Sequence, residues 1–370
     1  MYTLNSEVGV LQDQPKLGFD SSVVVLSWND YAGSSLAPSG VETLVLNKSD
    51  LLTGVSAPDA TFGPDTTRFG VVPAISLTST STAYNNSCCM NTSGSCLTRT
   101  SAIGVVALSG VPPSTVVWNE TDPGILATTA PPPADQPGSP ASLATTDDRF
   151  RAVTYSGSTL YVSGNDACIP AGDSVLRPCA RLIEVALGTS STVSVDQDLS
   201  YNGGALYFPA VVPDGSGNVF IAATFSSSTT DPQAIGIALT AGATSFSGVA
   251  FQPGSGTYSY PGCASTECQW GDYSGAALGP SNPQDVWLAG EYAPSSGSNW
   301  GTAIGEMTLA PPAVTGLSPS TGPTSGGPAQ SPRRPSSSTS PAAPTPHSTR
   351  PGCSTPDRTA RPWDPTTAST

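Results

Sequence analysis

Fourteen short apolar runs punctuate the first 309 residues, and each is closed within a few positions by Gly, Pro, Asn or Ser. They occupy residues 23–28, 43–46, 71–77, 103–108, 116–118, 149–155, 160–163, 182–187, 206–212, 219–224, 234–239, 276–278, 286–292 and 302–309. Most have strand length and are rich in Val, Ile and aromatic residues. None sustains a 3.6-residue period over three turns, so the chain is predicted to be all-β. The 38 Gly and 37 Pro suit many tight turns and oppose long helices.

A degenerate repeat orders these runs. FRAVTYSGSTLYVSGND, FPAVVPDGSGNVFIAAT and YSGAALGPSNPQDVWLAGEY each read strand, polar turn, strand. In the second strand Leu160-Tyr161, Val219-Phe220 and Val286-Trp287 occupy equivalent places. FDSSVVVLSWNDY is a partial earlier copy. A hairpin recurring at such intervals predicts four-stranded blades around a central channel, a β-propeller. Residues 1–310 would supply about five blades, an incomplete ring; an array of β-sandwiches is the alternative. The Pro-rich segment 125–146 is either a loop between blades or a strap across one face.

Charge excludes some partners. The net charge is −14, and the tail 328–370 holds five Arg and two Asp. The remainder therefore carries 8 basic and 25 acidic residues, or −17. Such a surface repels phosphate backbones, so no nucleic-acid partner is expected. No apolar run is long enough to span a bilayer.

The cysteines predict an oxidising compartment. Cys168 and Cys179 bracket CIPAGDSVLRPC, and Cys263 and Cys268 bracket CASTEC, so each pair is expected to form a disulfide. Cys96 is expected to pair with Cys88 or Cys89. With no CxxC, and with His347 of the tail as the only histidine, no metal site is predicted. The opening residues lack a leader, so a secreted protein of this kind is expected to continue upstream of Met1.

The same missing imidazole removes His-dependent triads, and no phosphate-cradling GxxxxGK[ST] or other cofactor motif occurs. Carboxylate pairs remain for glycoside chemistry, with Asp272 and Glu291 the catalytic candidates and Asp147 and Asp148 beside Arg149 and Arg151 a second group. Trp270, Tyr273, Trp287 and Tyr292 are the candidate sugar-binding aromatics; the competing role for such rings is packing between sheets. PDGSGN, at 213–218, holds one acidic residue and reads as a hairpin turn rather than a calcium loop. The expected function is extracellular binding or adhesion to a carbohydrate or cell-surface protein; a polysaccharide-acting hydrolase or lyase is the alternative.

Two resemblances add to this reading. The stretch 269–307, QWGDYSGAALGPSNPQDVWLAGEYA…NWGTAIGEM, makes the first part resemble exported bacterial proteins with sialidase-like or generic propellers, although the sialidase motif SxDxGxxW is missing. Residues 311–327, PPAVTGLSPSTGPTSGG, resemble the opening of an IPT/TIG domain through Val314, Leu317, Ser318-Pro319, Gly322-Pro323 and Gly326-Gly327. That resemblance implies an immunoglobulin-like sandwich. The pattern then stops: 328–370 contains no Val, Ile, Leu or Phe and is expected to be disordered. Its Pro, Arg, Ser, Thr and Ala read as a shifted frame of a GC-rich gene, with a mucin-like stalk as the alternative.

Overall fold

The computed structural model describes residues 8–89, 101–138, 141–263 and 267–309, leaving aside the side chains of 87–89. The expected pairing among Cys88, Cys89 and Cys96, the IPT/TIG-like segment and the tail lie outside the described residues.

Five antiparallel meanders follow one another along the chain. Blade 1 is β1 (Val10–Phe19), β2 (Val23–Ala32), β3 (Pro38–Asn47) and β4 (Asp59–Phe62), with a six-residue helix α1 (Lys48–Thr53) before β4. Blade 2 is β5 (Arg68–Pro73), then, after the short β6 (Ile75–Ser76), β7 (Thr82–Cys89), β8 (Gly104–Ser109) and β9 (Val117–Thr121). The two-residue β10 (Ser142–Leu143) precedes blade 3: β11 (Phe150–Ser156), β12 (Thr159–Cys168), β13 (Arg177–Ala186) and β14 (Thr192–Leu199). Blade 4 is β15 (Gly204–Pro213), β16 (Val219–Ser227), β17 (Thr230–Leu239) and β18 (Ser247–Gln252). After β19 (Glu267–Cys268), blade 5 has three described strands, β20 (Gly275–Leu278), β21 (Val286–Tyr292) and β22 (Gly301–Met307).

Apolar side chains are buried between successive sheets. Val25, Val45 and Phe62 of blade 1 meet Val106 and Leu108 of blade 2. Val72 and Val105 of blade 2 meet Val153, Leu160 and Ile183 of blade 3. Tyr161 and Leu182 of blade 3 meet Leu206, Ile221 and Ile237 of blade 4. Phe220 and Ala222 of blade 4 meet Val286 and Leu288 of blade 5. Four cores thus join five sheets in series, which is blade stacking and not the pairing of sandwiches. β6 lies parallel between β1 and β11, pairing with Phe19 on one side and Thr154 on the other. Gly18 permits this approach, because a Cβ there would overlap the Ala74 carbonyl.

The repeat is structural. Tyr161, Phe220 and Trp287 stand on β12, β16 and β21, the second strand of blades 3, 4 and 5, opposite Thr154, Val212 and Ala277 of the preceding strand. Tyr161 is 9% exposed and Phe220 0%, but Trp287 is 43% exposed. The first two rings are covered by the next blade. Among the described residues, no further sheet follows blade 5.

Segment 125–146 is the strap. Leu126 N–H donates to Asp196 at 2.5 Å and Thr129 N–H to Asp166 at 2.7 Å, both on blade 3. Farther along, Gln136 Nε2 donates to the carbonyls of Ala141 at 2.9 Å and Tyr258 at 2.8 Å, while Tyr258 N–H returns a bond to Gln136 Oε1. β10 pairs with β19, and Leu143 is buried with Tyr207, Phe208 and Trp270. Both predicted local disulfides are present: Cys168–Cys179, with a Cα separation of 5.8 Å, and Cys263–Cys268, at 4.6 Å.

Candidate functional site

The first strands of blades 1 to 4 each break register near their start. The breaks fall between Asp13 and Lys16, Phe69 and Val72, Phe150 and Ala152, and Tyr207 and Ala210. A β-bulge of this kind turns a side chain off the regular alternation. Gln14 and Phe208 hold left-handed backbone here, each at φ 55°, a costly conformation for a residue with a side chain. Gly70, at φ 60°, meets the same demand without that cost.

Residues at the bulges of blades 1 to 3 line one crevice of about 280 Å³, counted out to open solvent. Its lining includes Gln14, Lys16, Trp28, Arg149, Arg151 and Tyr273. Its enclosed space is about that of one water, far less than a sugar ring needs.

Three cations meet here, each against a ring carried by another blade. The Lys16 ammonium of blade 1 lies 3.8 Å from the centroid of Tyr273, just before β20. The Arg149 guanidinium lies 4.7 Å from Phe69 of blade 2, and that of Arg151 5.1 Å from Phe208 of blade 4. Cation and ring quadrupole attract at such separations.

The carboxylate partners are fewer. Arg149 Nε donates to Asp147 at 2.7 and 2.8 Å, and a second Arg149 nitrogen donates to Gln14 Oε1. Gln14 Oε1 also accepts from Asn29 Nδ2 at 3.0 Å, whose own Oδ1 accepts from Gly70 N–H at 2.9 Å. Arg151 reaches Thr146 Oγ1 and, at 3.5 Å, the Asp272 carbonyl; Asp147 stands 3.8 Å away. Two buried donors in the crevice wall, Arg151 Nε and Trp28 Nε1, have no hydrogen-bond partner, and neither has the Asp272 Oδ1 acceptor.

Electrostatics follow from this crowding. Burial, then the charges of Arg151 and Arg149, bring the Lys16 ammonium down to about 7, against an opposing pull from Asp272. Burial alone would raise Asp147, but the hydrogen bonds and charge of Arg149 hold it below the usual carboxylate range. Burial pushes Glu291 up to about 7; the Gly271 N–H bond opposes this, and the charge of Asp272 adds to it.

The sequence candidates separate in space. Tyr273, 49% exposed, belongs to the crevice, and Asp272 lies within its electrostatic reach. Glu291 stands on β21, where Gly271 leaves room that a Cβ would fill. Asp272 and Glu291 sense one another's charge. Trp270 is a core residue, 3% exposed, with its indole N–H donating to Thr224 Oγ1 at 3.3 Å. Trp287 sits on the outward side of blade 5, and Tyr292 ends β21 against Gly301. Asp148 binds the strap through Thr128, at 2.7 Å. The 213–218 segment is a hairpin turn whose Asp214 accepts from Ser216 N–H, Asn218 N–H and Asn218 Nδ2. Lys16, Gln14 and Trp28 carry no signal in the sequence; the nearest hint is Gln-Pro-Lys standing where Phe-Pro-Ala spans the bulge of β15.

No protein-family model and no curated protein matches the chain. Among solved structures it is similar to a glycoside hydrolase, with 11% identity and a TM-score of 0.43 over 86% of this chain and 94% of that one. A protein of unknown function from Dyadobacter fermentans gives 13% identity and a TM-score of 0.35, over 77% and 80% of the two chains. A BT0996 complex with RGII gives 11% identity and a TM-score of 0.41, over 83% and 90%. At these TM-scores the likenesses decide nothing about the site.

Proposed function

We propose that the chain is an extracellular binding module that recognises a carbohydrate at the channel crevice. One observation carries this reading: Lys16, Arg149, Arg151 and Tyr273, from three different blades, line one crevice beside bulged first strands. Polar groups with an exposed aromatic wall are what sugar recognition requires, hydrogen bonding for orientation and a ring for the apolar face. Two disulfides suit an oxidising compartment, and among the described residues no helix is long and apolar enough to cross a membrane. In the same reading residues 311–327 begin an immunoglobulin-like spacer. Glycan-array screening tests the proposal. Retention of one glycan class, weakened by Tyr273→Ala, supports it; no retained glycan overturns it.

A second reading, a polysaccharide-acting hydrolase or lyase, is favoured by Glu291. A carboxyl held near 7 beside the charged Asp272 can stay protonated at neutral pH, the state a general acid needs. Release of reducing ends from a bound polysaccharide, lost in Glu291→Gln, would establish it. Binding without product release would dismiss it.

A further inference from the structure

Three cations crowd the crevice, and among the described residues only one carboxylate, Asp147, stands within ion-pair distance of any of them. Of the eight basic residues outside the tail, three face the crevice, in a chain whose net charge is −14. Lys16, Arg149 and Arg151 face Asp147 and Asp272, with Asp13 acting on Tyr273; Asp147 is engaged by Arg149, and Asp272 Oδ1 has no hydrogen-bond partner. Arg151 Nε and Trp28 Nε1 are buried donors without acceptors. The side chain of Arg151 is 4% exposed. Orphaned buried donors are rare in folded proteins and each calls for a partner. Among the described residues, no carboxylate lies within ion-pair distance of the Lys16 ammonium.

Building on the carbohydrate reading, we propose that this crevice is a subsite for an oxyanion substituent of a glycan, a uronate carboxylate or a sulfate ester. Its oxygens accept from Arg151 Nε, Trp28 Nε1 and the Lys16 ammonium, while the sugar ring stays outside, beside Tyr273. Added negative charge also relieves the repulsion among the three cations. Arg151, held between Thr146 and the Phe208 ring, presents Nε from a fixed position.

Titration calorimetry on the full chain tests this with an oligogalacturonate, its methyl ester, a sulfated neutral oligosaccharide and its unsulfated parent. Binding of either charged member at least about tenfold tighter than its neutral counterpart supports the subsite, and the member that binds identifies the source. Equal affinity within each pair overturns the oxyanion subsite but leaves carbohydrate binding standing. No binding to any of the four contradicts both. Lys16→Met should lose about tenfold for the charged ligand while still unfolding cooperatively, at or above the wild-type melting temperature, and Lys16→Arg should recover most of the affinity. Unchanged affinity in a folded Lys16→Met protein overturns the role of Lys16.

Discussion

The ammonium of Lys16 lies over the Tyr273 ring, 3.8 Å from its centroid, and so joins the first strand of blade 1 to the segment entering blade 5. The two residues are 257 positions apart (273 − 16), and their contact falls where the inner strands converge. An ammonium sharing this place with Arg149 and Arg151 is protonated at a cost.

That cost sets a pH dependence. The Lys16 ammonium is lowered from 10.5 to about 7 in the folded protein. Between those values the unfolded chain binds the proton and the folded chain does not, so stability rises with pH through this window. Below about 7 both states are protonated and the penalty is fully expressed. Lys16→Met should therefore stabilise the protein most near pH 6, with its advantage shrinking as pH rises toward 10. Urea midpoints of both proteins across that range check this. An advantage independent of pH would contradict it.

Equivalent positions in the repeat should differ in energetic weight. Phe220 is fully buried between blades 4 and 5, whereas Trp287, at the same place in blade 5, is 43% exposed. Phe220→Ala should cost about 3–5 kcal/mol, and Trp287→Ala less than about 1.5 kcal/mol. Chemical denaturation measures both, and similar losses would mean that blade 5 is covered in solution.

The strap depends on one buried amide. Gln136 bonds the Ala141 and Tyr258 carbonyls and the Tyr258 N–H, so Gln136→Ala removes three hydrogen bonds, two of them from the Tyr258 backbone. A loss of about 2–4 kcal/mol is expected, with faster hydrogen exchange at Leu143 and Tyr258. Exchange unchanged at both amides would show that the strap is held by packing alone.

Replacing Cys168 and Cys179 together with Ala should destabilise the chain by about 3 kcal/mol, the loop entropy of an 11-residue closure. Melting of the double variant against wild type measures this, and no change would indicate a loop already ordered in the unfolded chain.

Much of the fold is legible in the sequence because inner and middle strands are apolar on both faces, as the fully buried β15 shows. Outer strands such as β14 and β18, and the first strand β1, leave no such run. They alternate or expose their side chains, so polar residues interrupt every apolar stretch. The local disulfides are readable because each pair closes a short turn. The crevice is not. Arg149 and Arg151 stand out only as neighbours of Asp147 and Asp148, and Lys16 in Gln-Pro-Lys has no motif. Their meeting is made by ring geometry and by bulges, which arise only once strands pair. Trp270 reads as a sugar platform because WGDY sits in a polar stretch, yet the strap covers it.

The most direct test of the channel site is a crystal structure with a bound acidic oligosaccharide. The account predicts an oxyanion within hydrogen-bond distance of Arg151 Nε and Lys16 Nζ, with the sugar beside Tyr273. Ligand density on the outward side of blade 5 at Trp287, with water alone between Lys16 and Arg151, would contradict it.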